Sequence, residues 1–134
     1  KSVVAAAKQA GTLESILFLH DASFPDFPAI YQGAQLFVYP SLFEGFGIPL
    51  IEALESGIPA ITCKGSCFTE AAGPESIYVD PGDIEDMALH MNRLLSDSGL
   101  RQRMIISGKK FIEKFSPSTI ASQLMSVYSA GYKG

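Results

Sequence analysis

An α/β fold built on a parallel sheet is predicted by three features of the 134-residue chain. Short, near-continuous apolar runs recur at Ile16-Leu17-Phe18-Leu19, Leu36-Phe37-Val38-Tyr39, Pro59-Ala60-Ile61-Thr62 and Ile77-Tyr78-Val79. Runs of this kind suit strands buried on both faces. Segments with helix start and stop signals separate them, and strands that alternate with helices pair in parallel through crossover connections.

Taken in order, the Ala-rich segment 2–10 reads as a helix that ends at Gly11. Residues 16–19 read as the first strand. Residues 27–33 read as a short helix, with Pro28 in its first turn. The second strand spans 36–39. A helix over 49–56 follows, with Pro49 at its first position and Gly57 as its C-terminal cap. The third strand spans 59–62, and 68–72 forms a helical turn closed by Gly73-Pro74. The fourth strand spans 77–79. The tail then turns helical. Asp83 caps a helix with Ile84, Met87, Ala88, Met91, Leu94 and Leu95 on one face. Ser98 caps a second, carrying Leu100, Met104, Ile105, Phe111, Ile112 and Phe115. Ser116-Pro117 opens a third, with Ile120, Leu124, Val127 and Tyr128. The helical spacing of the tail's Met and Phe residues assigns them to the core, and no repeat, linker or low-complexity segment interrupts the chain.

The length fits one domain with a core of useful size. Hydrophobic residues make up 47% and charged residues 18%, which excludes a disordered chain. A net charge of −4 with no Lys/Arg cluster argues against a nucleic-acid partner. No apolar run reaches the roughly 20 residues that a spanning helix needs, and the N-terminus is a poor fit to a signal peptide. The thiols Cys63 and Cys67 and the distant His20 and His90 are too scattered for a zinc site. The two thiols read as small buried or loop residues of a reducing compartment.

The segment that carries chemistry is Glu44-Gly45-Phe46-Gly47-Ile48-Pro49-Leu50-Ile51-Glu52, two carboxylates eight positions apart across a strand-to-helix junction. Ligands of parallel α/β sheets bind outside the carboxyl ends of the strands, where this loop lies. A helix that starts near Pro49 leaves backbone N–H groups unpaired, and its dipole adds partial positive charge. Phosphates bind such places. Gly45 and Gly47 let a ligand approach the backbone. The carboxylates repel phosphate but accept hydrogen bonds from adjacent sugar hydroxyls. Ribose, diphosphate and hexose in sequence match that layout. The spacing is equally compatible with Glu44 as a solvated loop acid and Glu52 as an exposed first-turn acid. Glu55 reads as solvent-facing, and Tyr31 and Tyr39 as packing residues.

The run "AQLFVYPSLFEGFGIPLIEALESGIPAITCKGSCFTE" strongly resembles the C-terminal domain of GT-B type retaining glycosyltransferases, a group that includes bacterial mannosyl- and glucosyltransferases. "FLHDASFPDFPAIYQGA" before it, "IYVDPGDIEDMA" after it and "FSPSTIASQLMSVY" near the end extend the resemblance over nearly the whole chain. It implies a Rossmann-like sheet with flanking helices and a helical tail, the partial C-terminal half of such an enzyme. It implies transfer of a hexose, with retention, from a nucleotide diphosphate sugar to a saccharide or lipid acceptor. By the same resemblance Glu44 contacts the donor hexose near the reacting carbon and Glu52 binds the ribose hydroxyls. Gly45, Phe46, Gly47 and Ile48 offer backbone groups to hexose and diphosphate. Glu70 matches a later motif acid, either a ligand contact or a structural residue. No metal or other cofactor is implied, because helix dipole and basic side chains stabilise the leaving diphosphate. The implied setting is the cytoplasm or the inner membrane face.

Where this family usually holds the diphosphate with an upstream Arg and Lys, the 43 residues before Glu44 contain no matching strand–helix unit, and Lys1 and Lys8 lie on the first helix. Lys64 is either a phosphate contact from the next strand end or a solvated loop lysine. His20 either borders the base or sugar site or is a plain loop histidine. The acceptor-binding N-terminal domain has no counterpart in the chain. It reads as a fragment of a hexosyltransferase, inactive in isolation. The alternatives are a non-catalytic nucleotide-sugar-binding half-domain and a GT-B relative such as a nucleotide-sugar epimerase.

Overall fold

A computed structural model describes residues 3–131. Lys1 and Ser2, expected in the first helix, lie outside the described residues. A parallel sheet of three strands, β1 (Phe37–Tyr39), β2 (Ala60–Cys63) and β3 (Ile77–Val79), runs in the order β1-β2-β3. Val38 pairs with Ile61, and Ile61 with Ile77.

Helices cover both faces of this sheet. α1 (Val3–Ala10) and α2 (Phe27–Gln32) precede it, and α3 (Ile48–Glu55) and α4 (Phe68–Ala72) are its crossovers. α5 (Ile84–Ser96), α6 (Ser98–Ile112) and α7 (Pro117–Gly131) form the tail. The strand period of two divides the core. Phe37, Tyr39 and Tyr78 pack with Leu50, Leu54, Phe68, Ala71 and Ala72 of α3 and α4. Val38, Ile61 and Ile77 pack with Met87, Met91 and Leu94 of α5. Full burial of a Leu or Phe contributes about 2–3 kcal/mol each. Leu50, Leu54 and Phe68 therefore tie α3 to β2 and α4.

The caps are local chemistry. Asp83 accepts a bond from the Asp86 N–H and starts α5. Ser116 Oγ accepts one from the Thr119 N–H at the start of α7. For α6 the sequence reading is one residue off: Asp97, not Ser98, is the cap, and its carboxylate accepts the Leu100 N–H at 2.8 Å. An aspartate in extended backbone presents its oxygens to that N–H, while Ser98 is already helical.

Residues 16–19, expected as a strand, form none. Leu17 is 80% and Leu19 54% exposed. A strand needs a ladder partner, and none runs beside these residues among those described. On α5 only Met87, Met91 and Leu94 of the expected face pack inward, because Ile84 sits in the first turn and Leu95 turns away. Phe111 and Phe115 are half-buried and Met104 buried, but Met125 is 62% exposed, so the tail's methionines are not all core. Ile120, Leu124, Val127 and Tyr128 of α7 are also exposed, since no described element lies over them.

Candidate functional site

The site begins at the carboxyl end of β1, where Tyr39 leads through Pro40 and Ser41 to Glu44. The Glu44 carboxylate is held, not free. Tyr39 Oη donates to its Oε1 at 2.5 Å and Ser41 Oγ donates to the same oxygen at 3.0 Å. These bonds, Tyr39 first, keep the Glu44 carboxyl below the usual carboxylate range. The bond to Glu44, with burial, pushes the Tyr39 phenol up to about 12. At neutral pH the tyrosine is a donor and the glutamate an anion. The loop after β2 secures the Glu44 backbone: its carbonyl accepts from Ser66 Oγ at 3.1 Å and from Cys67 Sγ at 3.4 Å.

Between Glu44 and α3 the chain turns on Gly47, buried at φ +93° and ψ +42°. A Cβ there would meet Ala71 Cβ and Leu50 Cδ1, both at 3.3 Å. Gly45 has no such need; its backbone is ordinary and a Cβ would meet nothing within 4 Å. Left-handed backbone costs other residues about 1–3 kcal/mol. Gly47→Ala is therefore expected to lower stability by about 2 kcal/mol, read by thermal unfolding; an unchanged melting temperature would show that the turn relaxes.

Helix α3 starts at Ile48, one residue before the expected Pro49. The N–H groups of Gly45, Phe46, Gly47 and Ile48 have no acceptor among the described residues. Four free donors at a helix N-terminus attract an anion. Phe46 packs edge-on against Phe115, ring centroids 5.5 Å apart.

Glu52 lies half-buried on α3, and Tyr31 Oη of α2 donates to its Oε2 at 3.1 Å. Burial first, then this bond, raises the Tyr31 phenol to about 12. Glu52 faces an open cleft of about 380 Å³ between α2 and α3, lined also by Phe24, Phe27, Pro28 and Tyr31. The two motif glutamates thus sit on either side of the free N–H groups in sequence, each gripped by a tyrosine.

None of the other candidates makes a hydrogen bond to this pair among the described residues. Glu70 is exposed in the first turn of α4, and its side chain has no hydrogen-bond partner among the described residues. His20 is exposed and stacks on Phe18, centroids 6.2 Å apart. Lys64 is engaged by Asp80 at 2.8 Å, a pair that joins the ends of β2 and β3. No cluster of three His, Cys, Asp or Glu side chains among the described residues is placed to hold a metal ion. The roles of the Tyr31 and Tyr39 hydroxyls escaped the sequence reading. The only signal for them is tyrosine in place of phenylalanine at positions where ring packing alone needs no hydroxyl.

A parallel sheet with its helix-start loop open at the strand ends defines the class: a Rossmann-like α/β domain. The chain belongs to the glycosyl transferases group 1 family, which it matches over residues 1–111. It is 31% identical over 119 residues to O-antigen chain mannosyltransferase B of Escherichia coli, a match that covers 88% of this chain and 31% of that protein. Sucrose-phosphate synthase from Thermosynechococcus elongatus superposes on 97% of the chain and 33% of its own length, with TM-score 0.84 and 22% identity. The C-terminal domain of a glycosyl transferase group 1 family protein from Francisella tularensis matches 82% of this chain and 58% of that one, with TM-score 0.70 and 28% identity. The chain spans about a third of the length of the mannosyltransferase. No described helix is long and apolar enough to cross a membrane.

Proposed function

We propose that this chain is the donor-binding part of a retaining hexosyltransferase that uses a nucleotide diphosphate sugar. The observation that carries the reading is the row of four free N–H groups at the start of α3, flanked in sequence by two held carboxylates. The N–H groups of Gly45, Phe46, Gly47 and Ile48 receive the diphosphate. Glu44 accepts hydrogen bonds from the hexose, and Glu52 accepts them from the ribose. A mannosyltransferase among the relatives supports hexose as the transferred group.

In this reading the acceptor hydroxyl, on a saccharide or lipid, attacks the face that the diphosphate leaves, and a leaving-group oxygen takes its proton. Glu44 supports the positive charge that develops on the sugar and does not serve as a general base. The charge on the leaving diphosphate is met by the helix dipole and the N–H groups, so the reaction runs without a metal. Exposed Leu17, Leu19 and the apolar stripe of α7 support a chain that packs against further parts of a longer enzyme, including an acceptor-binding domain. The free thiols Cys63 and Cys67 support a cytoplasmic setting, which extends to the inner membrane face for a lipid acceptor.

Calorimetry of the complete enzyme with UDP-, GDP- and ADP-sugars, in the presence of a chelator, tests the reading. One nucleotide sugar is expected to bind. Failure of all of them to bind overturns the donor site.

A further inference from the structure

Both motif glutamates take a hydrogen bond from a tyrosine, and both tyrosines belong to one column of rings. Tyr31 meets Phe37 edge-on, centroids 5.4 Å apart. Phe37 stacks on Tyr39 at 5.8 Å, and Tyr39 meets the fully buried Phe68 edge-on at 6.4 Å. The column is anchored by β1 and by the α3–α4 core. Its hydroxyl groups stand where the core puts them.

The glutamates need that support in different degrees. Glu44 sits in a loop whose neighbours Phe43 and Gly45 are exposed; Ser66 and Cys67 hold its backbone, so its side chain depends on hydrogen bonds of its own. A glutamate loses rotamer freedom worth about 1.5–2 kcal/mol when it is ordered. Tyr39 and Ser41 supply that order through one oxygen, Oε1. Oε2 has no hydrogen-bond partner among the described residues and is left to the ligand. At Glu52 the arrangement is mirrored: Tyr31 takes Oε2, and Oε1 is left open.

We propose that Tyr39 and Tyr31 are positioning residues of the transfer reaction, Tyr39 aiming Glu44 at the hexose and Tyr31 aiming Glu52 at the ribose. The inference rests on the donor-site reading above. It adds that the ring column on β1 and α2 sets both aims at once. Because each tyrosine acts on a different part of the donor, its loss shows in a different constant.

The test uses the complete enzyme and the nucleotide sugar that calorimetry identifies. Y39F is expected to lower kcat about tenfold or more, the scale of a hydrogen bond to a charged group, and to leave the affinity for the matching nucleoside diphosphate within twofold. Y31F is expected to weaken that affinity about tenfold. In an E44A background Y39F should cost nothing further, because a residue that acts through Glu44 has nothing left to act on. Losses that add in the double variant, or a Y39F enzyme with unchanged kcat, overturn the proposal. If Y39F lowers the melting temperature, S41A carries the same test, since it removes the second donor to Oε1 without touching the ring column. An E44A enzyme as active as the parent would instead overturn the donor reading of Glu44.

Discussion

Replacement of Glu44 by alanine is expected to lower kcat about 100-fold in the complete enzyme, the scale found when one preorganised electrostatic contact at a reacting centre is removed. Two donors fix Oε1, Tyr39 at 2.5 Å and Ser41 at 3.0 Å. In the role proposed for Glu44, a carboxylate held in place before the reaction needs no reorganisation as charge develops on the sugar. Alanine removes the charge and the acceptor together. Glu44→Gln keeps the shape and loses the charge, so it should fall between the two. The fold is expected to survive both changes, because Glu44 lies in a loop and contributes nothing to the apolar core. Single-turnover rates at saturating donor, with a melting curve for each variant, check the expectation. Near-normal turnover by Glu44→Ala would remove Glu44 from the reaction.

Gly73→Ala is expected to have the largest effect on stability. Gly73 ends α4 at φ +74° and ψ +173°, a region of backbone space open essentially to glycine alone. A Cβ there would stand 2.6 Å from Phe111 Cγ and 2.8 Å from both Cδ atoms. Strain and overpacking together are expected to cost about 3 kcal/mol, or about 10 °C in melting temperature. The ring that must move is not isolated. Phe111 meets Phe115 edge-on at 6.1 Å, and Phe115 meets Phe46 of the site loop at 5.5 Å. Displacement of Phe111 should therefore reach the segment that offers the free N–H groups. Gly33→Ala is the control, since Gly33 has φ −76° and a Cβ there would make only ordinary contacts. Equal melting temperatures for the two variants would refute the close approach at Gly73.

The parts of the fold legible in the sequence share one property: their cause is local. Asp83 caps α5 through a bond to a residue three positions on. The apolar runs at β1, β2 and β3 declare strands because they are short, near-continuous and bounded by turns. Residues 16–19 have the same local signature and fail, since a strand is completed by a neighbour and not by its own composition. Asp97 and Ser98 are adjacent residues of equal capping ability, and only the backbone angles separate them. The α7 stripe is amphipathic by spacing, but spacing says nothing about what lies above it.

For the site the same division holds. The two glutamates, the glycine turn at Gly47 and the helix start behind it are written in consecutive residues. Which oxygen of each acid is open is not written there. It depends on Tyr31, 21 residues before Glu52, and on Tyr39, five residues before Glu44. A hydroxyl finds a carboxylate only when the sheet and the ring column bring them within hydrogen-bond range. Pattern and spacing by themselves determined three of the four expected strands and most of the helices, because those follow from neighbours along the chain. The tertiary structure alone decided which oxygen of each glutamate a tyrosine holds, the pairing of Lys64 with Asp80 and the exposure of residues 16–19 and α7. Those follow from packing between residues that the sequence keeps apart.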